Sequence, residues 1–157
     1  MTLPPQWAGI NVQRAGFTLL EIILILAVGA TLMVFALNVF QDYQANSHLE
    51  LTTEEMKSVL EEAQRYARNG KNAQKHGMHI ETAAGTFTLF QGEDYATRDM
   101  SYDSIHTWRP GIVTYTGPAD IIFSKLKATT TPVTLTLTNT TGKQRIININ
   151  GAGAISD

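Results

Sequence analysis

The chain has no cysteine. Disulfides, thiolate metal sites and cysteine nucleophiles are therefore excluded. Charge is also scarce: charged residues make up 17% of the 157 and the net charge is −2, a balance that calls for no nucleic acid partner. There is no glycine-rich phosphate loop and no internal repeat. No proline interrupts the long apolar run from Ile22 to Phe40, and from Phe17 to Phe40 the only strongly polar side chains are Glu21 and Asn38. Gly29 and Asn38 are the only places in that run where the helix is expected to loosen, each at about 1 kcal/mol or less relative to alanine.

What is present organises around Gly16-Phe17-Thr18-Leu19-Leu20-Glu21, directly abutting that run. Roughly 20 apolar residues in helical form cross the hydrocarbon core of a bilayer. An ionisable group in the middle of such a span costs on the order of 2.5–3.5 kcal/mol, less near an end. Glu21 therefore calls for a partner. If the chain were cut between Gly16 and Phe17, the new α-amino group would lie about one helical turn away, on the same chain or on a neighbour. A cleavable secretory signal fits poorly. Its apolar core is about 7–15 residues and ends in a small-x-small site, whereas this run is longer, holds an acid and offers only Ala45-Asn46-Ser47.

These residues resemble the processing site of type IV pilins and type II secretion pseudopilins. The resemblance implies a leader over 1–16 removed by a prepilin peptidase that cuts between Gly16 and Phe17. It also implies N-methylation of Phe17 and a register role for Glu21 in a filament. Arg14, the one basic residue of the leader, fits a leader held in the cytoplasm and an exported carboxy-terminal domain; Trp7 carries no assignment. Loss of Arg14 with the leader takes the side-chain charge to −3. Major pilins commonly carry a proline late in the apolar half and a disulfide near the carboxy terminus. This chain has neither, which points to a minor subunit.

The helix is expected to continue past Phe40. Leu49, Met56, Val59, Leu60, Ala63, Tyr66 and Ala67 recur at spacings near three and four and mark one apolar face. Glu50, Glu54, Glu55, Glu61 and Glu62 come first and Arg65, Arg68, Lys71 and Lys75 later, which suits the macrodipole; Glu61 and Arg65 form an i,i+4 pair. Asn69-Gly70 supplies the stop. Phe17 to Asn69 is then one helix of about 80 Å at 1.5 Å per residue.

From Gly77 the pattern turns to short β-rich runs. Met78–Glu81 and Thr86–Phe90 read as a hairpin about Ala83-Ala84-Gly85. A polar loop spans 92–109. Ile112–Tyr115, a Gly117-Pro118 turn, Ile121–Phe123, the alternating Val133–Thr138, a turn at 140–143 and Arg145–Ile149 follow. The expected fold class is α+β: a long amino-terminal α-helix, half transmembrane, packed on a small antiparallel β-sheet domain. Its divisions are 1–16, 17–40, 41–69 and 70–157. This layout resembles the minor pseudopilin H and minor pilin FimT group. Members often carry Gly-Arg after the last strand, and some bind DNA through a basic tail; here Ala152 and Ala154 follow the glycines and the tail ends in Asp157.

Several constellations are better explained without chemistry. His76 and His79 have a loose metal-ligand spacing and no third ligand nearby. Glu93, Asp94, Asp99 and Asp103 lack the spacing and glycine of a calcium loop. Ser101, Asp103, Ser104 and His106 contain the side chains of a hydrolase triad, which is defined by geometry. No enzyme, metal or cofactor is expected. The expected partners are the peptidase, other pilin or pseudopilin subunits, an inner-membrane assembly platform and membrane lipid. The chain is placed as a single-pass protein of the inner membrane, its carboxy-terminal domain exported. The alternative is a filament-borne binding module for DNA or an exported substrate, using Lys125, Lys127, Lys143 and Arg145.

Overall fold

A computed structural model describes residues 16–157. The expected leader, with Trp7 and Arg14, lies outside the described residues apart from Gly16, as does the side chain of Asn38. One helix, α1, runs Leu19–Arg68 without a break at Gly29. The chain divides into two compact units, one up to Val39 and one from Phe40.

In the first unit the helix begins with a cap. Thr18 Oγ1 accepts a hydrogen bond from the Glu21 amide at 3.2 Å, and the Thr18 carbonyl accepts from Ile22 N at 3.2 Å. Thr18 therefore satisfies one of the amides a helix start leaves open. The large apolar side chains from Leu19 to Val39 are all exposed, Ile22 least at 45% and Leu19 most at 80%. The helix is long and apolar enough to cross a membrane, with a mean hydropathy of 2.6 over its most apolar 18 residues.

The second unit joins the rest of α1 to eight strands. Leu49, Met56, Val59, Leu60, Ala63 and Ala67 are buried, and the Thr53 hydroxyl is buried but donates to the Leu49 carbonyl at 2.7 Å. Gly70 ends the helix in the left-handed region at φ 60°, where its missing Cβ avoids a steric penalty. The strands are β1 His76–Glu81, β2 Thr86–Gln91, β3 Ser104–Thr107, β4 Val113–Thr116, β5 Asp120–Phe123, β6 Val133–Asn139, β7 Gln144–Ile149 and β8 Ile155–Ser156. They form two antiparallel sheets, ordered β3-β2-β1-β5 and β4-β6-β7-β8. Met78, Ile80, Phe87 and Leu89 from one sheet and Leu135, Leu137, Ile147 and Ile149 from the other share one core with the helix. The α+β class, a long amino-terminal helix with small antiparallel sheets, is thus observed.

Several expectations are corrected. The β domain holds two sheets, because β5 returns to pair with β1 while β4 pairs with β6. The stretch 92–109 is no plain loop: it contains a 3-10 turn at Met100–Tyr102 and strand β3. It also covers the outer face of its sheet. Tyr95 stacks on His79 at 3.6 Å and meets Phe90 edge-on at 5.5 Å, with Arg98 3.6 Å above the Tyr95 ring. Arg65 stands 3.6 Å from Glu62, not paired with Glu61, and Glu62 also accepts from the Tyr66 hydroxyl. The tail beyond Ile149 adds β8, tied to α1 by Gln64 Nε2 donating to the Gly153 carbonyl at 2.6 Å and by Lys57 to Asp157 at 2.8 Å.

Candidate assembly site and charged clusters

At the amino-terminal end, Gly16 and Phe17 precede the helix, and Phe17 is 74% exposed. A Cβ built on Gly16 meets nothing within 4 Å, so the fold itself places no steric demand on that glycine. Glu21 stands in the first turn of α1, three residues after the capping Thr18. Thr18-Leu19-Leu20-Glu21 is the pattern of a capping box, in which an acid near the positive end of the macrodipole is favourable. Glu21 thus has a local reason to stand here besides any register role. Sequence reasoning passed over Thr18, although Thr-x-x-Glu before an apolar run was the available signal.

The four basic residues offered for nucleic acid fall into two groups. Arg145 on β7 makes a two-pronged contact with Glu50, Nη2 lying 2.7 Å from each carboxylate oxygen; the acid raises the guanidinium further. Lys143 lies two residues before it, at the β6–β7 turn. Lys125 and Lys127 flank Leu126, whose amide donates to the Ala67 carbonyl at 2.8 Å, at the carboxy-terminal end of α1. Glu50 and Ala67 are separated by about 25 Å along the helix at 1.5 Å per residue. The four do not converge on one sheet end, and Arg145 is already neutralised.

The other clusters resolve into local structure. His76 is buried while His79 points to the opposite face of β1, pairs with Asp120 at 2.8 Å and stacks on Tyr95. Glu93 pairs with Lys75, Asp94 accepts from Thr97, Asp99 accepts from Ser101 and Asp103 pairs with Arg98. The hydroxyl and amide bonds from Thr97 and Ser101 hold the Asp94 and Asp99 carboxyls below the ordinary value. Among the described residues no group of three His, Asp or Glu is placed to hold a metal ion. Of the triad side chains, Ser104 Oγ lies 3.2 Å from His106 Nε2, and the acid on the other ring nitrogen is Glu55, 2.8 Å from Nδ1, while Asp103 is held by Arg98. With Phe87 stacked on the imidazole at 5.2 Å, this chain of contacts ties edge strand β3 to α1. Two open grooves of about 440 and 540 Å³ meet at Pro132 and are lined mainly by threonine, serine and asparagine.

An apolar helix that turns amphipathic and runs into antiparallel sheets is a type IV pilin-like fold. A solved structure that shares it is the minor pseudopilin EpsH from the type 2 secretion system of Vibrio cholerae, with a TM-score of 0.53 at 14% sequence identity. The match covers 69% of this chain and 94% of that one. No family model matches the sequence, and no curated protein matches it.

Proposed function

We propose that the chain is a minor pseudopilin or minor pilin, a subunit that helps assemble or prime a secretion pseudopilus or a type IV pilus. One observation carries this reading: a pilin-like fold whose exposed apolar half-helix begins at Leu19, with only the capping Thr18 between it and Gly16-Phe17. In this reading a prepilin peptidase removes 1–16 and Phe17 is N-methylated. Residues 17–40 lie in the inner membrane and among neighbouring subunits, 41–69 form the amphipathic half-helix and 70–157 form the exported β-rich domain. An assembly platform receives the processed chain. Glu21 in lipid is then partnered by the Phe17 amine of a neighbour. Sliding one helix past the other would strand both charges, so the pair sets register. DNA binding is disfavoured by the separation of Lys125 and Lys127 from Lys143 and Arg145 and by the Glu50 contact.

Intact-mass measurement of the chain from cells that have the peptidase tests the reading. The expected mass is that of a chain beginning at methylated Phe17; an uncut chain overturns it. Gly16→Val is expected to fold normally yet stay uncut, because the space is open in this structure and extended backbone in a peptidase site leaves little room for a Cβ. Glu21→Gln and Glu21→Ala are expected to insert and be cut but to recover partner subunits several-fold less well in co-purification. Unchanged recovery for both removes the register role.

A further inference from the structure

Strand β3 and helix α1 bring together three groups that no single stretch of sequence holds. Ser104 and His106 are two residues apart on β3, so their side chains share a face, and Ser104 Oγ stands 3.2 Å from His106 Nε2. From α1, a Glu55 carboxylate oxygen stands 2.8 Å from His106 Nδ1. A carboxylate only accepts, so Nδ1 carries the proton, and the neutral ring turns a bare Nε2 toward the serine hydroxyl. The buried Phe87 ring stacks on the imidazole with the two planes 12° apart and limits its rotation. Nucleophile, base and orienting acid thus stand in the order and at the spacing that acyl transfer requires.

A strap between strand and helix needs only the His106–Glu55 contact; the serine adds nothing to it. The sheet edge supplies a further element of the same chemistry. Trp108 N donates to the Gly85 carbonyl at 2.9 Å, and the same register sets His106 opposite Phe87 and Ser104 opposite Leu89. Antiparallel bonding alternates, so the Ser104 and His106 amides face β2 and the Ile105 amide faces away from it. Strand β3 is at the edge of its sheet, and among the described residues no strand pairs with it on that side. The N–H that follows a nucleophilic serine is one place where acyl-transfer enzymes hold the developing oxyanion.

We propose that Ser104, His106 and Glu55 form a hydrolytic site for short-chain carboxylic esters of acidic alcohols, phenyl esters above all. The setting selects that class. Ser104 is exposed at an open edge, so nothing there encloses a long acyl chain. One backbone donor in place of two forgoes a factor of about 10²–10³ in rate, so the leaving group must depart readily. In the first step Ser104 Oγ bonds to the acyl carbon while its proton passes to His106 Nε2. The ester C–O bond breaks, and the alcohol leaves with that proton. Water, deprotonated by the same nitrogen, then attacks the acyl-serine, releasing the carboxylic acid and restoring the hydroxyl. Neither leader cleavage nor a membrane enters this chemistry, so it stands or falls apart from the function proposed above.

The test uses the full-length chain in detergent micelles with 4-nitrophenyl acetate, against micelles alone. A burst of nitrophenol followed by slower release is expected, with the acetyl group found on Ser104 by peptide mass analysis. Ser104→Ala, a small change at an exposed position, is expected to lower release over the blank roughly tenfold or more. Glu55→Gln separates positioning from strapping, because the amide keeps an oxygen that accepts from Nδ1 but loses the charge that stabilises the protonated ring. It is expected to slow acetylation of Ser104 by a similar factor while leaving the urea midpoint, followed through Trp108, in place. Release unchanged in Ser104→Ala overturns the proposal, as does acetyl found on lysine or histidine side chains and not on Ser104. So does Glu55→Gln with an unchanged acetylation rate, which would leave the His106–Glu55 contact as a strap alone.

Discussion

The two halves of α1 are built from the same kind of residue and meet opposite fates. Up to Val39 apolar side chains occur all round the helix and all are exposed. From Leu49 on most of them keep to a period near 3.6, with Leu51 an exposed exception, and Leu49, Met56, Val59, Leu60, Ala63 and Ala67 on that face are buried to within 3% exposure. Helix-forming residues run through both halves, so propensity does not separate them; the surroundings each half needs do. An apolar stripe is answered by a sheet. An apolar cylinder in water is a liability, and in lipid or among like helices it is at home.

The sharpest break between the halves comes from deleting a large side chain in each. Phe87 is 0% exposed, and Phe87→Ala is expected to destabilise the second unit by about 3–5 kcal/mol. Leu24 is 60% exposed, and Leu24→Ala is expected to leave the urea midpoint of that unit unchanged. Tryptophan fluorescence follows the unfolding, since Trp108 is in the core. A midpoint shifted by Leu24→Ala would show that the halves are not independent.

A smaller effect tests how the second half is strapped. Gly153 has φ 85°, and a Cβ there would stand 2.1 Å from the Ala128 carbonyl oxygen. Gly153→Ala is expected to cost roughly 1–3 kcal/mol as the tail shifts off Gln64. Normal urea stability would mean the tail is not fastened there. Smaller again is the start of the first half. Thr18→Ala removes the cap at about 1 kcal/mol, so the Glu21 amide of the micelle-bound chain is expected to exchange roughly fivefold faster, with no change in the second unit.

How much of this was legible follows from the length over which each signal acts. The period of α1, the hairpin of β1 and β2 and the alternation of β6 are local, and the strands stand where they were expected within a residue or two. Strand β3 was not legible, because Ser104-Ile105-His106-Thr107 offers one apolar residue and sits at an edge. Nor was β8, two residues long. The split into two sheets depends on β5 pairing back to β1, a contact between residues more than 40 positions apart that no local pattern announces. The fate of the charges was the least legible. Arg145 turned to Glu50 on another element, Glu93 turned to Lys75 outside its stretch, and the other acids of the 92–109 stretch turned to hydroxyls and a guanidinium beside them. Such choices are settled by a few ångströms of packing.

The smallest predicted effect concerns pH and belongs to the second unit alone. His76 opens β1 with 3% exposure and meets Tyr66 edge-on at 5.5 Å. Burial, and after it the charge of Lys71, hold the imidazole below its ordinary 6.5, while contacts with Gln74 and Gln91 pull more weakly the other way. Below pH 6.5 the unfolded chain therefore takes up a proton that the folded chain refuses. The unfolded state binds more protons through this window, so stability falls as pH drops from 6.5 toward the lowered folded value, and the effect is absent above it. Asp94 and Asp99 act in the same direction, but only below their ordinary 3.8. Urea midpoints of the wild type and His76→Gln, measured from about pH 7.5 to 5.5, are expected to converge on acidification as the wild type loses stability faster. The difference between the two removes the contribution of the other three histidines. Parallel lines would show that the ring carries its proton in the folded state as readily as in the unfolded one, and that its burial in the second unit is looser than that of the apolar residues around it.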